Sequence, residues 1–164
     1  MMKILAINSI SFKKRMIELL FDYLFILAYL ALLFLGSMLF YIIFFNGIPE
    51  FTEIQSQCLA FFTSVLPITL LFTFLDYTNN GSFGKAKAGL QLVYKKKTVQ
   101  ASLIRNTIKF LPWQIGHMGT IHGFYSEFDF LSVILSFLAT LLAVALLAMK
   151  VFRKDKRHLG DLIA

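Results

Sequence analysis

An arginine and two carboxylates stand at helical spacing at the start of the first long apolar run of the sequence. Arg15, Glu18 and Asp22 are separated by three and four residues, which places them on one face of a helix. An ionised carboxylate among Leu, Phe and Tyr loses hydration that other groups must replace. Such a carboxylate is expected to pair with a cation or to take up a proton. The spacing therefore predicts either a static ion pair or a site where protons and cations exchange.

A second polar face occurs in the stretch 102–124, where Arg105, Lys109 and His117 recur at multiples of four residues. Arg105, Lys109 and Arg15 are the candidate cations for Asp22. A histidine can gain or lose a proton near neutral pH. His117 is therefore either a proton carrier or a histidine held by hydrogen bonds inside a helix bundle.

The composition indicates a membrane protein. The chain has 164 residues, of which 58% are hydrophobic and 19 are Phe, and its mean hydropathy is +0.73. Soluble domains are about 45–50% apolar. Apolar runs at 23–45, 58–75 and 130–149 have the length that a bilayer requires, about 20 residues. Asp76 follows the second run, and we expect it to be solvated at the membrane surface.

The distribution of Lys and Arg predicts the topology, because these residues favour the cytoplasmic side. The connections NGIPEFTE and YSEFD contain no cation, whereas the tail KVFRKDKR contains five. A fourth span at 102–124 puts every basic segment on one side. We therefore expect spans at about 16–45, 54–76, 102–124 and 129–152, with both termini cytoplasmic. The alternative places 102–124 as an amphipathic helix on the inner leaflet.

Two stretches rich in strand-forming residues, LQLVY and TVQAS, flank the lysines at 95–97. They predict a short cytoplasmic β-hairpin between the second and third spans. The expected fold is thus an all-α membrane protein, a single domain over 1–164 with about four transmembrane helices and this hairpin.

The sequence contains no arrangement typical of an enzyme or a cofactor site. We find no Ser/His/Asp or Cys/His pattern for hydrolysis, and GSFGK lacks the spacing of a nucleotide-binding loop. We therefore expect no enzyme activity, no cofactor, no metal ion and no nucleic-acid partner. The expected partners are the bilayer and, for the basic cytoplasmic face, anionic lipid.

Four motifs in register resemble the RDD family of bacterial membrane proteins over residues 15–164. They are Arg15 with Asp22 seven positions later, GSFGKAKAGLQLV at 81–93, the pair Arg105-Asn106, and LGDLIA with Asp161 as the second aspartate. Two positions depart from the family pattern. Glu18 replaces a residue that is usually small. Gly160 replaces a histidine, which argues against a proton relay at that end.

The resemblance implies a multi-pass protein of the bacterial cytoplasmic membrane. Some family members are linked to sodium/proton antiport through the arginine and aspartates, so the resemblance also implies transport as a candidate function. Asp22 would bind a monovalent cation or a proton, Arg15 would set its charge balance, and Asp161 would lie at the cytoplasmic entry. Four short helices leave little room for two gates, so we expect a homo-oligomer. The alternative is a non-transporting adaptor, modulator or immunity-type protein in which the same residues are structural.

Overall fold

The computed structural model describes residues 11–93, 97–153 and 157–163, and these form six helices. In chain order they are α1 Phe12–Phe45, α2 Glu53–Thr78, α3 Phe83–Ala88, α4 Val99–Ser126, α5 Phe130–Phe152 and α6 Leu159–Ile163. Side-chain oxygens cap the helix starts: Ser11, Ser82 and Asp129 each accept a hydrogen bond from a backbone N–H three residues later. Left-handed residues at Asn46 and Gly89 end α1 and α3.

Three helices are long and apolar enough to cross a membrane: α1, α2 and α5. In α1 none of the most apolar window is buried inside the protein, and in α5 only 11% of it is. Faces this apolar need a non-aqueous surrounding. The helices therefore fit a lipid bilayer, as the composition predicted.

Helix α4 has 28 residues and lies antiparallel to α2 over its whole length. Gln57 near the start of α2 donates to the carbonyl of Met118, and Asp76 near the end of α2 binds Arg105. At about 1.5 Å per residue, α4 is about 42 Å long. It thus lies beside a membrane-crossing helix from one end to the other, although its own composition is more polar.

Small residues allow α4 and α5 to approach closely. A Cβ placed on Gly119 would lie 2.9 Å from the hydroxyl of Ser136, and one on Gly116 would lie 3.7 Å from Ala139. Ser132 and Ala139 are buried in this contact. Small side chains recur every four residues in α5, at Ser132, Ser136 and Thr140 and at Ala139 and Ala143, and this recurrence favours close helix packing.

The β-hairpin predicted between the second and third spans was wrong. The described residues contain no strand, and the second arm, TVQAS, is the start of α4. Thr98 is the N-cap of this helix and accepts a hydrogen bond from the backbone N–H of Ala101 at 3.1 Å. The first arm is irregular at 90–93, and residues 94–96 of the predicted hairpin lie outside the described residues.

A π-helical turn at Phe61–Val65 interrupts α2 and ties it to α1. Pro67 has no N–H to donate to the carbonyl of Thr63 four residues earlier. That carbonyl instead accepts a hydrogen bond from the Tyr29 hydroxyl at 2.5 Å. Below this turn, the buried side chains of Ile68, Phe72 and Phe110 form the apolar core.

Candidate functional site

Six of the seven predicted polar residues belong to one charge cluster at the end of the bundle where α1 begins. Among the described residues, the cluster joins four carboxylates to five cations through ion pairs between all six helices or the turns that flank them. Its members are Arg15, Glu18, Asp22, Asp76, Lys85, Arg105, Lys109, Lys150 and Asp161. All are buried except Lys109 and Asp161, which are partly exposed.

Glu18 lies at the most crowded point of the cluster and is fully buried. Its Oε2 accepts from Arg15 at 2.5 Å, and its Oε1 lies 3.1 Å from the Nζ atoms of both Lys85 and Lys150. Three cations from α1, α3 and α5 thus surround one carboxylate. Glu18 therefore joins α1 to α3 and α5.

Asp22 has a different environment, with one cation and two neutral donors. Its Oδ2 accepts from Ser82 Oγ at 2.9 Å and from Lys109 Nζ at 3.2 Å, and its Oδ1 accepts from the backbone N–H of Gly84 at 3.0 Å. The Lys109 ammonium also lies 4.1 Å from the centre of the Phe72 ring, a cation–π distance. Of the three candidate cations, Lys109 is therefore the one that binds Asp22.

Gly84 allows α3 to approach α1 closely enough for these contacts. A Cβ at this position would lie 2.1 Å from the carbonyl oxygen of Glu18 and 2.6 Å from Oδ1 of Asp22. No side chain fits there. The glycine thus lets a backbone N–H, and not a side chain, reach the Asp22 carboxylate.

Asp76 is fully buried, so the prediction of a solvated surface carboxylate was wrong. Arg105 binds its Oδ2, and Asn106 donates to the same oxygen at 2.8 Å. The Nζ of Lys85 lies 4.0 Å from the other oxygen. Arg105 also donates through Nε to Asp161 at 2.5 Å, so a single guanidinium joins α2 to the C-terminal helix α6.

His158 lies beside Asp161 and is fully packed, with 2% of its surface exposed. Its Nδ1 accepts from the backbone N–H of Gly160 at 3.0 Å, and its Nε2 lies 3.4 Å from Oδ2 of Asp161. Burial, together with the charge of Arg105, lowers the pKa of His158 to about 3, although Asp161 opposes this. A proton on Nδ1 would also face the Gly160 N–H. The Arg105 guanidinium lies 3.4 Å from Nε2, so a donor stands at each ring nitrogen and the site favours the neutral imidazole.

The pKa values of the charged groups outside the spanning helices follow from the same contacts. Burial opposes ionisation of Asp161, but the Arg105 charge outweighs it and lowers the pKa of the carboxyl to about 2. Burial and the neighbouring charges of Arg105 and Lys150 lower the pKa of Lys85, against the pull of Glu18 and Asp76.

Six of the seven residues selected from the sequence lie in this cluster, but their partners differ from the expected ones. Arg15 binds Glu18, and Arg105 binds Asp76 and Asp161, so neither is the cation on Asp22. His117 lies outside the cluster. Its Nε2 is 3.4 Å from the hydroxyl of Ser64 in the π-helical turn, and its ring centre lies 5.6 Å from that of Trp113.

Sequence reasoning missed four residues of the site: Asp76, Lys85, Lys150 and His158. Lys85 and Lys150 were interpreted as topology signals, and Asp76 as a surface residue. The sequence does carry a signal for Asp76, Lys85 and Lys150, because each is a charged residue next to an apolar or glycine-rich segment that packs on the bundle. The histidine that seemed to be missing next to Asp161 is supplied by His158, three residues earlier. A Cβ on Gly160 would lie 2.7 Å from the Arg105 carbonyl and 2.8 Å from this imidazole.

A family model described as "RDD family" matches residues 10–164. The chain belongs to the RDD family. In this RDD protein, the arginine and both aspartates of the motifs lie in the charge cluster, and the loop motif at 81–93 supplies Ser82, Gly84 and Lys85. Searches of curated proteins and of solved structures returned no match.

Replacing Gly84 by alanine should loosen α3 from α1, because the new Cβ overlaps the Glu18 carbonyl. We expect Gly84→Ala to lower the free energy of unfolding by about 1–3 kcal/mol, measured by denaturation in detergent. Gly36→Ala is the matched control, since nothing lies within 4 Å of the Cβ added there. Equal stability of the two variants would contradict the close approach of α3.

The neutral state of His158 predicts a loss of stability in mild acid. The unfolded chain takes up this proton at pH about 6.5 and the folded chain only near 3, so the stabilisation is complete above pH about 6.5 and declines as the pH falls. Between pH 6.5 and 5 the loss should reach about 2 kcal/mol. His158→Gln should flatten this part of the thermal unfolding profile. An unchanged profile in His158→Gln would refute the assignment.

Proposed function

We propose that this RDD protein exchanges a monovalent cation for a proton at Asp22. The observation that carries the proposal is the single cation on this carboxylate. Among the described residues, Glu18 forms ion pairs with three cations, whereas Asp22 forms one, with Lys109, whose side chain is 16% exposed. A carboxylate with one lysine partner can exchange that partner for another cation.

The exchange balances in charge and in protons. In one state the Lys109 ammonium binds the Asp22 carboxylate. In the other state Lys109 has released its proton and a sodium ion occupies its place beside Asp22. Each pair carries no net charge, so one proton leaves for each ion that binds. The hydroxyl of Ser82, already 2.9 Å from Asp22, offers a further oxygen ligand.

A homo-oligomer suits this mechanism, because one protomer has few helices with which to build two alternating gates. The exposed apolar faces of α1 and α5 are available for contacts between copies as well as with lipid. The bacterial cytoplasmic membrane is the location that the family implies.

The alternative function is a non-transporting adaptor, modulator or immunity-type protein. The burial of the charge cluster favours it, since a static lock between helices needs no more than these contacts. In that case, variants of Asp22 would lose function only as far as they lose folding. An Asp22→Asn protein that folds but has lost its function would favour exchange.

Asp22→Asn should abolish exchange, because the amide carries no charge to hold sodium. We expect the lumenal pH change of reconstituted vesicles after a sodium pulse to fall at least about tenfold, toward that of protein-free vesicles. Because the exchange is electroneutral, an imposed membrane potential should not alter the wild-type rate.

The matched control is Glu53→Gln, which removes a partly exposed carboxylate at the opposite end of the bundle. It should exchange at the wild-type rate. Wild-type exchange in Asp22→Asn would rule out the exchange model and leave the structural alternative.

We further propose four spans with the charge cluster on the cytoplasmic side. The support is the packing of α4 along α2 and the absence of Lys and Arg in the connections 46–53 and 125–129. A reporter fused after Ala164 should therefore be active only in the cytoplasm, and so should one fused ahead of Met1. Activity of either fusion outside the cell would overturn this topology.

A further inference from the structure

A groove of about 600 Å³ lies between α1 and α3, beside the charge cluster. Its lining is apolar apart from one lysine and consists of Phe21, Leu24, Phe25, Phe83, Ala86 and Lys87. The rings of Phe25 and Phe83 lie 4.9 Å apart. Phe21, Leu24 and Phe83 are exposed, so the groove opens to the surroundings of the bundle.

The groove lies at the depth where phospholipid headgroups meet acyl chains. Phe21 and Leu24 flank Asp22 in the sequence, and from Tyr23 to Phe45 α1 has no charged residue. This run is about 35 Å long and suffices to cross a hydrocarbon core of about 30 Å. The groove thus begins where the uncharged part of α1 begins, at the edge of the hydrocarbon core.

Two exposed cations stand on the polar side of the groove. Lys87 forms no ion pair with any carboxylate that the structure describes, in contrast to Lys85, which is buried on Glu18. Lys14 is also exposed, has no ion pair within the described residues and lies two helical turns before Phe21 on the same face of α1. An apolar groove with two unpaired cations at one end complements a molecule with a negative head and a hydrocarbon tail.

We propose that this groove binds one anionic phospholipid, with an acyl chain along Phe21, Leu24 and Phe83 and the phosphate at Lys87. Lys14 adds to the attraction of the headgroup. The bound lipid would press α3 against α1. It would thereby support the contacts that Gly84 and Lys85 make with the charge cluster. This site does not depend on cation exchange, since a purely structural cluster would be held in the same way.

Native mass spectrometry of the full-length protein in detergent tests the site, with phosphatidylglycerol and phosphatidylcholine of identical acyl chains as probes. We expect the wild type to retain one phosphatidylglycerol in preference to phosphatidylcholine. Lys87→Gln should weaken phosphatidylglycerol binding about fivefold, which corresponds to about 1 kcal/mol for one lysine near a lipid surface, and leave phosphatidylcholine unchanged. Ala86→Leu, which fills the groove, should weaken both lipids.

The controls separate a site from general attraction. Lys97→Gln removes an exposed lysine elsewhere, and Ala145→Leu enlarges an exposed alanine on α5; both should bind lipid as the wild type does. Equal loss in Lys87→Gln and Lys97→Gln, or no loss in Ala86→Leu, would overturn the site. The site would also be overturned if the wild type formed a dimer without bound lipid and Ala86→Leu dissociated it. The groove would then bind a second copy of the chain. Unfolding curves in detergent without added lipid should coincide for all variants, so that a loss of lipid binding is not a loss of folding.

Discussion

Four carboxylates, three of them buried and Asp161 partly exposed, lie at one end of this bundle, and the requirement to neutralise them governs much of the rest of the structure. An isolated buried charge costs several kcal/mol, and breaking one buried pair costs about as much, because it leaves an uncompensated charge behind. The cations come from α1, α3, α4 and α5. The cluster is therefore complete only when these segments are in place together.

This constraint explains two helices that would not form alone. Helices α3 and α6 have six and five residues, far below the length at which an isolated helix is stable, about 12–15 residues. Each is held by what it contributes: α3 brings Lys85 and the Gly84 N–H, and α6 brings Asp161 next to His158. Ion pairs thus join the segments that contain α3 and α6 to the rest of the bundle.

The local part of the site could be predicted from the sequence and the long-range part could not. Helical periodicity identifies Arg15, Glu18 and Asp22 as one face because it depends only on neighbours three and four residues away. Apart from Arg15, the partners of Glu18 and Asp22 are between 60 and 132 residues away in the sequence, and no periodicity relates them. The hairpin prediction relied on the strand propensity of TVQAS. In the structure, Thr98 instead caps the helix that begins at Val99.

The proposed exchange at Asp22 rests on the difference between the environments of Glu18 and Asp22 within one cluster. Glu18 has three cationic partners, so two remain when one is removed. A single ion therefore cannot take the place of all of them. Within the described part of the chain Asp22 forms one ion pair, with Lys109, while the Ser82 hydroxyl and the Gly84 N–H hold its carboxylate in position whether or not that lysine is charged. The two neutral donors thus fix where the carboxylate lies, and Lys109 neutralises its charge. An exchange site needs these two roles to be carried by different groups, whereas a static ion pair does not.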